Sequence, residues 1–64
     1  MSAVEAMRKE RDDLKERAGA LKDYICTPKF KRLSKDDQTL LNRQLGVMTE
    51  LSIILGQRVM RVAK

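Results

Sequence analysis

Histidine is absent and Cys26 is the only cysteine, so this 64-residue chain lacks the nucleophile–base pairs on which most covalent catalysis rests. The same shortage leaves no tetrahedral metal site to build, and no metal is expected. Carboxylates do not fill the gap. Glu5, Asp12, Asp13 and Glu16 are interleaved with Lys9, Arg11 and Arg17, the pattern of a solvated helix face. No glycine-rich loop is present to cradle phosphates. The chain is therefore expected to be no enzyme and to carry no cofactor.

Its chemistry-bearing groups are basic and amide side chains. Lys29, Lys31, Arg32 and Lys35 gather beside Phe30. Such a cluster can hold phosphates while the aromatic ring stacks on a base, or it is a solvated turn with Phe30 in the core. Arg58 and Arg61, with Lys64 further on, crowd the end of a long helical pattern, where cations complement the helix dipole. Antiparallel packing would bring Arg8 and Arg11 to that same end. Arg8, Arg11, Arg58 and Arg61 then make a candidate anion pocket, unless Glu5 and Asp12 neutralise it. Arg58 is expected to be partly buried in a seam. Gln44 is read as a seam amide that fixes register or meets a base edge. Tyr24 can stack and donate a hydrogen bond, or be buried with its hydroxyl satisfied. Met7, Met48 and Met60 are read as packing.

Two helices must position these groups. From Ser34 to Lys64 the apolar residues Leu41, Met48, Leu55 and Val62 recur every seven residues. Leu40, Val47 and Ile54 flank them on one side, Leu45 and Val59 on the other, and Gln44 and Arg58 interrupt at the heptad position of Leu51. That face is wider than the roughly 100° stripe of an ordinary surface helix. It calls for a partner helix on one side and a second chain on the other. Upstream, residues 2–26 place Val4, Arg11, Ala18 and Ile25 seven apart, with Met7, Leu14 and Leu21 between them. This is a coiled-coil seam with one charged member. Glu5 and Lys9 are spaced for an ion pair. Thr27-Pro28 ends the first helix and suits the start of a short turn across residues 27–33, with Phe30 and Leu33 inward. Ser34 caps the second helix, with Asp36 and Asp37 in its first turn.

The fold class expected is all-α: an antiparallel two-helix hairpin with a short helical connector, one domain over residues 1–64, assembling as a dimer or tetramer into a helical bundle. A chain this short rarely buries enough surface alone, and with one cysteine it has no internal disulfide to help. Fourteen basic against nine acidic residues give +5, which favours an anionic partner. No apolar run is long enough to cross a membrane, and MSAVEAMRKERDD has no signal-peptide core, so a cytoplasmic location is expected.

From Leu14 onward, LKERAGALKDYICTPKFKRLSKDDQTLLNRQLGVMTELSIILGQRV resembles a family of small helical phage proteins that oppose cyclic-oligonucleotide antiphage signalling by sequestering the messenger. Leu21, Tyr24-Ile25, Phe30, Leu33, Gln38, Leu40-Leu41, Gln44, Met48, Ile54-Leu55 and Arg58-Val59 carry the resemblance, while Leu51 stands where an aromatic residue is expected. The resemblance implies a sponge in the host cytoplasm that binds cyclic dinucleotides without cleaving them. Arginines of paired protomers would hold the phosphates, and Tyr24 and Gln44 would meet the bases. Two other readings remain open on the residues: a helical inhibitor of a host protein, and a basic nucleic-acid-binding accessory factor.

Overall fold

The computed structural model describes residues 2–62 and contains three helices: α1 (Ala3–Ile25), α2 (Pro28–Lys31) and α3 (Lys35–Val62). Each boundary has a local cause. Ser2 is extended and its hydroxyl oxygen accepts from the Glu5 N–H at 3.1 Å, an N-cap that satisfies one of the free amides of the first turn. At the other end of α1, Pro28 cannot continue the helix. Thr27 has the extended backbone expected ahead of a short helix, with Pro28 in its first turn, but its hydroxyl does not cap α2. It donates instead to the Tyr24 carbonyl at 2.6 Å, closing α1 by filling one of the carbonyls that the helix end leaves free.

The connector is fixed by three contacts. Phe30 is buried, and its ring meets that of Tyr24 edge-on, with centroids 6.3 Å apart and planes at 84°. Ser34 accepts from the Asp37 N–H at 3.1 Å and starts α3. Gln38 reaches back from the first turn of α3, its amide donating to the carbonyls of Leu33 at 2.9 Å and Lys31 at 3.3 Å. One side chain thereby ties α2, the bend and α3 together.

α1 and α3 pack against each other along their length. On α1 the half-buried row is Val4, Met7, Arg11, Leu14, Ala18, Leu21 and Ile25, the heptad positions read from the sequence. On α3 the inner row is Leu41, Leu45, Met48, Ser52, Leu55 and Val59, alternating four and three residues apart. Ser52 had no place in the sequence reading, yet it is buried between Leu45 and Val59. Its hydroxyl is satisfied within the helix, donating to the Thr49 carbonyl at 2.8 Å. Leu55 is only 2% exposed and Val59 only 4%, so the tightest packing lies in the last third of α3. The ion pairs differ from expectation: Lys9 pairs with Asp13 at 3.6 Å rather than with Glu5, and Arg11 pairs with Asp12 at 3.0 Å. Lys9–Asp13 is exposed and adds little.

The hairpin is a rod of 46 × 15 × 14 Å with a radius of gyration of 14.5 Å, against about 11 Å for a compact chain of this length. Its helices are long for the one seam they share, and the rest of the apolar surface stays outside. Leu40, Val47, Leu51, Ile53, Ile54, Met60 and Val62 are all exposed.

Three substitutions test this account by chemical denaturation at fixed protein concentration. Leu55→Ala is expected to destabilise by about 2–5 kcal/mol, the range for a buried leucine. Gly46 has open space where a Cβ would stand, so Gly46→Ala should stabilise by up to about 1 kcal/mol through helix propensity. Gln38→Ala should lose about 1–2 kcal/mol by freeing the connector carbonyls; an unchanged midpoint would show that the bend holds without it.

Candidate functional site

The antiparallel register is marked by Arg11, whose Cδ lies 3.7 Å from where a Cβ on Gly56 would stand. Early α1 and late α3 therefore share one end of the rod, and Arg8, Arg11, Arg58 and Arg61 all belong to it. They do not share one flank. Arg11 leans along the side of Gly56, while the opposite side of the hairpin is a groove lined by Glu10, Asp13, Leu14, Arg17 and Leu51. Arg58 follows Leu51 by seven residues and so lies on the groove side. Arg8, three residues before Arg11, lies on the side of Gly56.

Arg58 is exposed, not partly buried as its heptad position suggested. The reason is geometric. Arg58 and Gln44 are not interruptions of the inner seam; they belong to a second row one residue removed, and one residue is 100° of helix rotation. That row runs Leu40, Gln44, Val47, Leu51, Ile54 and Arg58, with the same alternation of four and three as the inner row. The spacing was legible in the sequence, but the two rows interleave there as one broad face. Gln44 is likewise exposed, its amide nitrogen 3.9 Å from the Met48 sulfur. Arg11 is the one half-buried arginine of the four, and Asp12 takes its guanidinium. Lys64 lies outside the described residues.

Tyr24 is half-buried at the bend end. It follows Arg17 by seven residues, which puts it on the groove side. In the register set by Arg11 and Gly56, it stands within about a turn of the level of Gln44. Tyr24 and Gln44 thus share a flank and a level, whereas Gln44 and Arg58 are about 21 Å apart along α3 at 1.5 Å per residue. One hairpin brings the predicted residues together as two groups, an amide–aromatic pair near the bend and arginines at the far end. It does not bring them together as one pocket. The basic residues of the bend, Lys29, Lys31, Arg32 and Lys35, are all exposed around buried Phe30, so that ring is core and is not free to stack on a base.

Asp13, Leu14, Arg17 and Leu51 were placed on helix faces from the sequence, but none was read as lining a groove. A neighbouring hollow is lined by Asp13, Glu16, Arg17 and Ala20. Both hollows are walled by carboxylates and hold one arginine, so neither is a cradle for phosphate. No group of His, Cys, Asp and Glu among the described residues is arranged to hold a metal ion, and no described helix is long and apolar enough to cross a membrane.

No curated protein and no solved structure matches the chain. One family model does, described as Sequestin, and it aligns with residues 1–61. That alignment takes in α1, the connector and nearly all of α3, the elements that carry Tyr24, Gln44, Arg8, Arg11, Arg58 and Arg61, so the chain belongs to the Sequestin family.

Proposed function

We propose that this protein is a stoichiometric trap for a cyclic dinucleotide second messenger, made by a phage to blunt host immune signalling in the host cytoplasm. The observation that carries the reading is the gathering of Arg8, Arg11, Arg58 and Arg61 at one end of a hairpin whose family name denotes sequestration. The chemistry suits it. A cyclic dinucleotide carries two phosphate charges, which guanidinium groups hold bidentately, and two base faces. Tyr24 offers a ring and a hydroxyl to a base, and Gln44 offers paired donor and acceptor groups. Holding a ligand intact asks for no nucleophile–base pair, and a chain without histidine and with one cysteine lacks the usual ones. Self-association, as a dimer or tetramer, supplies the groups that one rod holds too far apart.

The exposed apolar row of α3 favours a second reading, a helical inhibitor that lays this face on a host protein. Binding to long DNA or RNA with steep salt dependence would instead favour a nucleic-acid accessory role for the basic bend.

Thermal unfolding against a panel of cyclic di- and trinucleotides and their linear counterparts separates these readings. A ligand at a hundred times its Kd should stabilise by about 2.7 kcal/mol, a rise in Tm on the order of 10 °C for a chain of this size. Chromatography after denaturation should return the ligand uncleaved. No shift with adenine- or guanine-containing rings would end the sponge reading, and a cleaved product would make the protein an enzyme. Arg58→Ala should weaken binding by about ten- to a hundredfold, the loss of a charge-assisted hydrogen bond, with the oligomer retained. Gln44→Ala should weaken it less.

A further inference from the structure

We infer that the outer row of α3 is the interface with a second, antiparallel copy of this chain, and that this pairing joins Tyr24 and Gln44 of one copy to Arg58 of the other. The interface stands on the exposed row alone; the shared site rests on the ligand reading above.

The exposed surface is large enough to seat a partner. A compact monomer of 7.4 kDa exposes about 4,200 Å² on the usual scaling with mass. This chain exposes 5186 Å². The excess, about 1,000 Å², is close to the roughly 800 Å² that each partner contributes to a standard interface. Leu40, Val47, Leu51 and Ile54 are exposed in one row, at the spacing that knobs-into-holes packing requires.

The charges in that row choose the partner and its direction. Extended by one position at each end, the row begins at Asp37 and finishes at Arg61. In a parallel pairing each layer repeats itself across the interface, so Arg58 would face Arg58, Arg61 would face Arg61, and Asp37 would face Asp37. In an antiparallel pairing that uses the whole row, Val47 faces Leu51, Gln44 faces Ile54, Leu40 faces Arg58 and Asp37 faces Arg61. Val47–Leu51 layers then fill the middle, mixed layers of Gln44 with Ile54 and of Leu40 with Arg58 flank them, and opposite charges close both ends, with the helix dipoles opposed. The row is complementary to itself in this one direction, as a two-fold interface demands.

The same register mends the separation found within one hairpin. With Gln44 opposite Ile54 of the second copy, the Arg58 of that copy lies four residues further on, about 6 Å along the axis instead of 21 Å. Tyr24 stands on the same flank at the same level. Each end of the dimer thus carries an aromatic ring and an amide from one chain with a guanidinium from the other. Arg61 serves assembly first, through Asp37 of the second copy.

Disulfide trapping decides the interface. In a Cys26→Ser background, Leu40→Cys and Arg58→Cys proteins are oxidised separately and mixed. The expected result is a cross-link in the mixture alone, because two copies of position 40 lie about 27 Å apart in the antiparallel pair. Cross-linking of either variant with itself, or of neither with the other, would overturn the proposal. Leu51→Glu should convert the dimer to monomer by light scattering, and a dimer that survives it would place the interface elsewhere. The shared site is read by subunit exchange between Gln44→Ala and Arg58→Ala proteins. Half of the dimers are then mixed and hold one intact site each, so at a ligand concentration that saturates wild type but is too low to fill either parent variant, about a quarter of wild-type cyclic dinucleotide binding should return. No recovery overturns the shared site. Failure of the unaltered protein to bind any cyclic dinucleotide would remove both the shared site and the sponge reading, while the cross-link pattern still decides the interface.

Discussion

Two helices have one seam between them, and that limit governs the rest of this molecule. Each helix can turn only one stripe toward the other, whatever else its sequence makes apolar. α1 spends its large aliphatic residues on that stripe and presents mostly charged and small residues elsewhere, with Lys9–Asp13 and Arg11–Asp12 as its visible ion pairs. α3 does not. Its inner row meets α1, and a second row, 100° round the helix, has nothing of its own chain to meet. Length, exposed area and exposed leucine and isoleucine are three views of the same imbalance.

The seam also explains why burial is uneven. Leu55 and Val59 are the best covered residues of α3 and lie opposite the part of α1 where Arg11 runs alongside Gly56. The aliphatic stem of an arginine covers apolar surface while its guanidinium reaches out to Asp12. At the other end the bend has no second helix above it, and Phe30, Tyr24 and Gln38 take over. An edge-on ring pair and two amide–carbonyl hydrogen bonds hold the turn that sets α1 and α3 side by side. The closed end holds the turn, and the contact of Arg11 with Gly56 marks the register that places the arginines at the open end.

Membership of the Sequestin family and the layout of polar groups bear on function from different sides. The family supports a protein that holds something, and the layout limits how. The two hollows described on this rod are acid-walled. Under the proposed pairing, an enclosure for an anion comes from surfaces brought together by association. On this view the stranded row of α3 and the stranded arginines are parts of one problem, which the proposed antiparallel pairing would resolve.

Heptad spacing in the sequence determined the helices and the half-buried row of α1, and residue type determined the cap at Ser34 and the break at Pro28, because these depend on neighbours within a turn or two. It also showed that the face of α3 is too broad for one partner. It did not separate that face into two rows, since residues 100° apart on a helix stand side by side in the chain and share the same period of seven. Only the packed hairpin shows that Ser52 is inside while Gln44, Leu51 and Arg58 are outside, because α1 covers one stripe and leaves the next bare. The division of the arginines between two flanks was likewise decided by how the two helices rotate to meet, whereas the distance from Gln44 to Arg58 follows from their spacing along one helix. Contact between chain segments far apart in sequence fixes that rotation, and periodicity alone does not encode it.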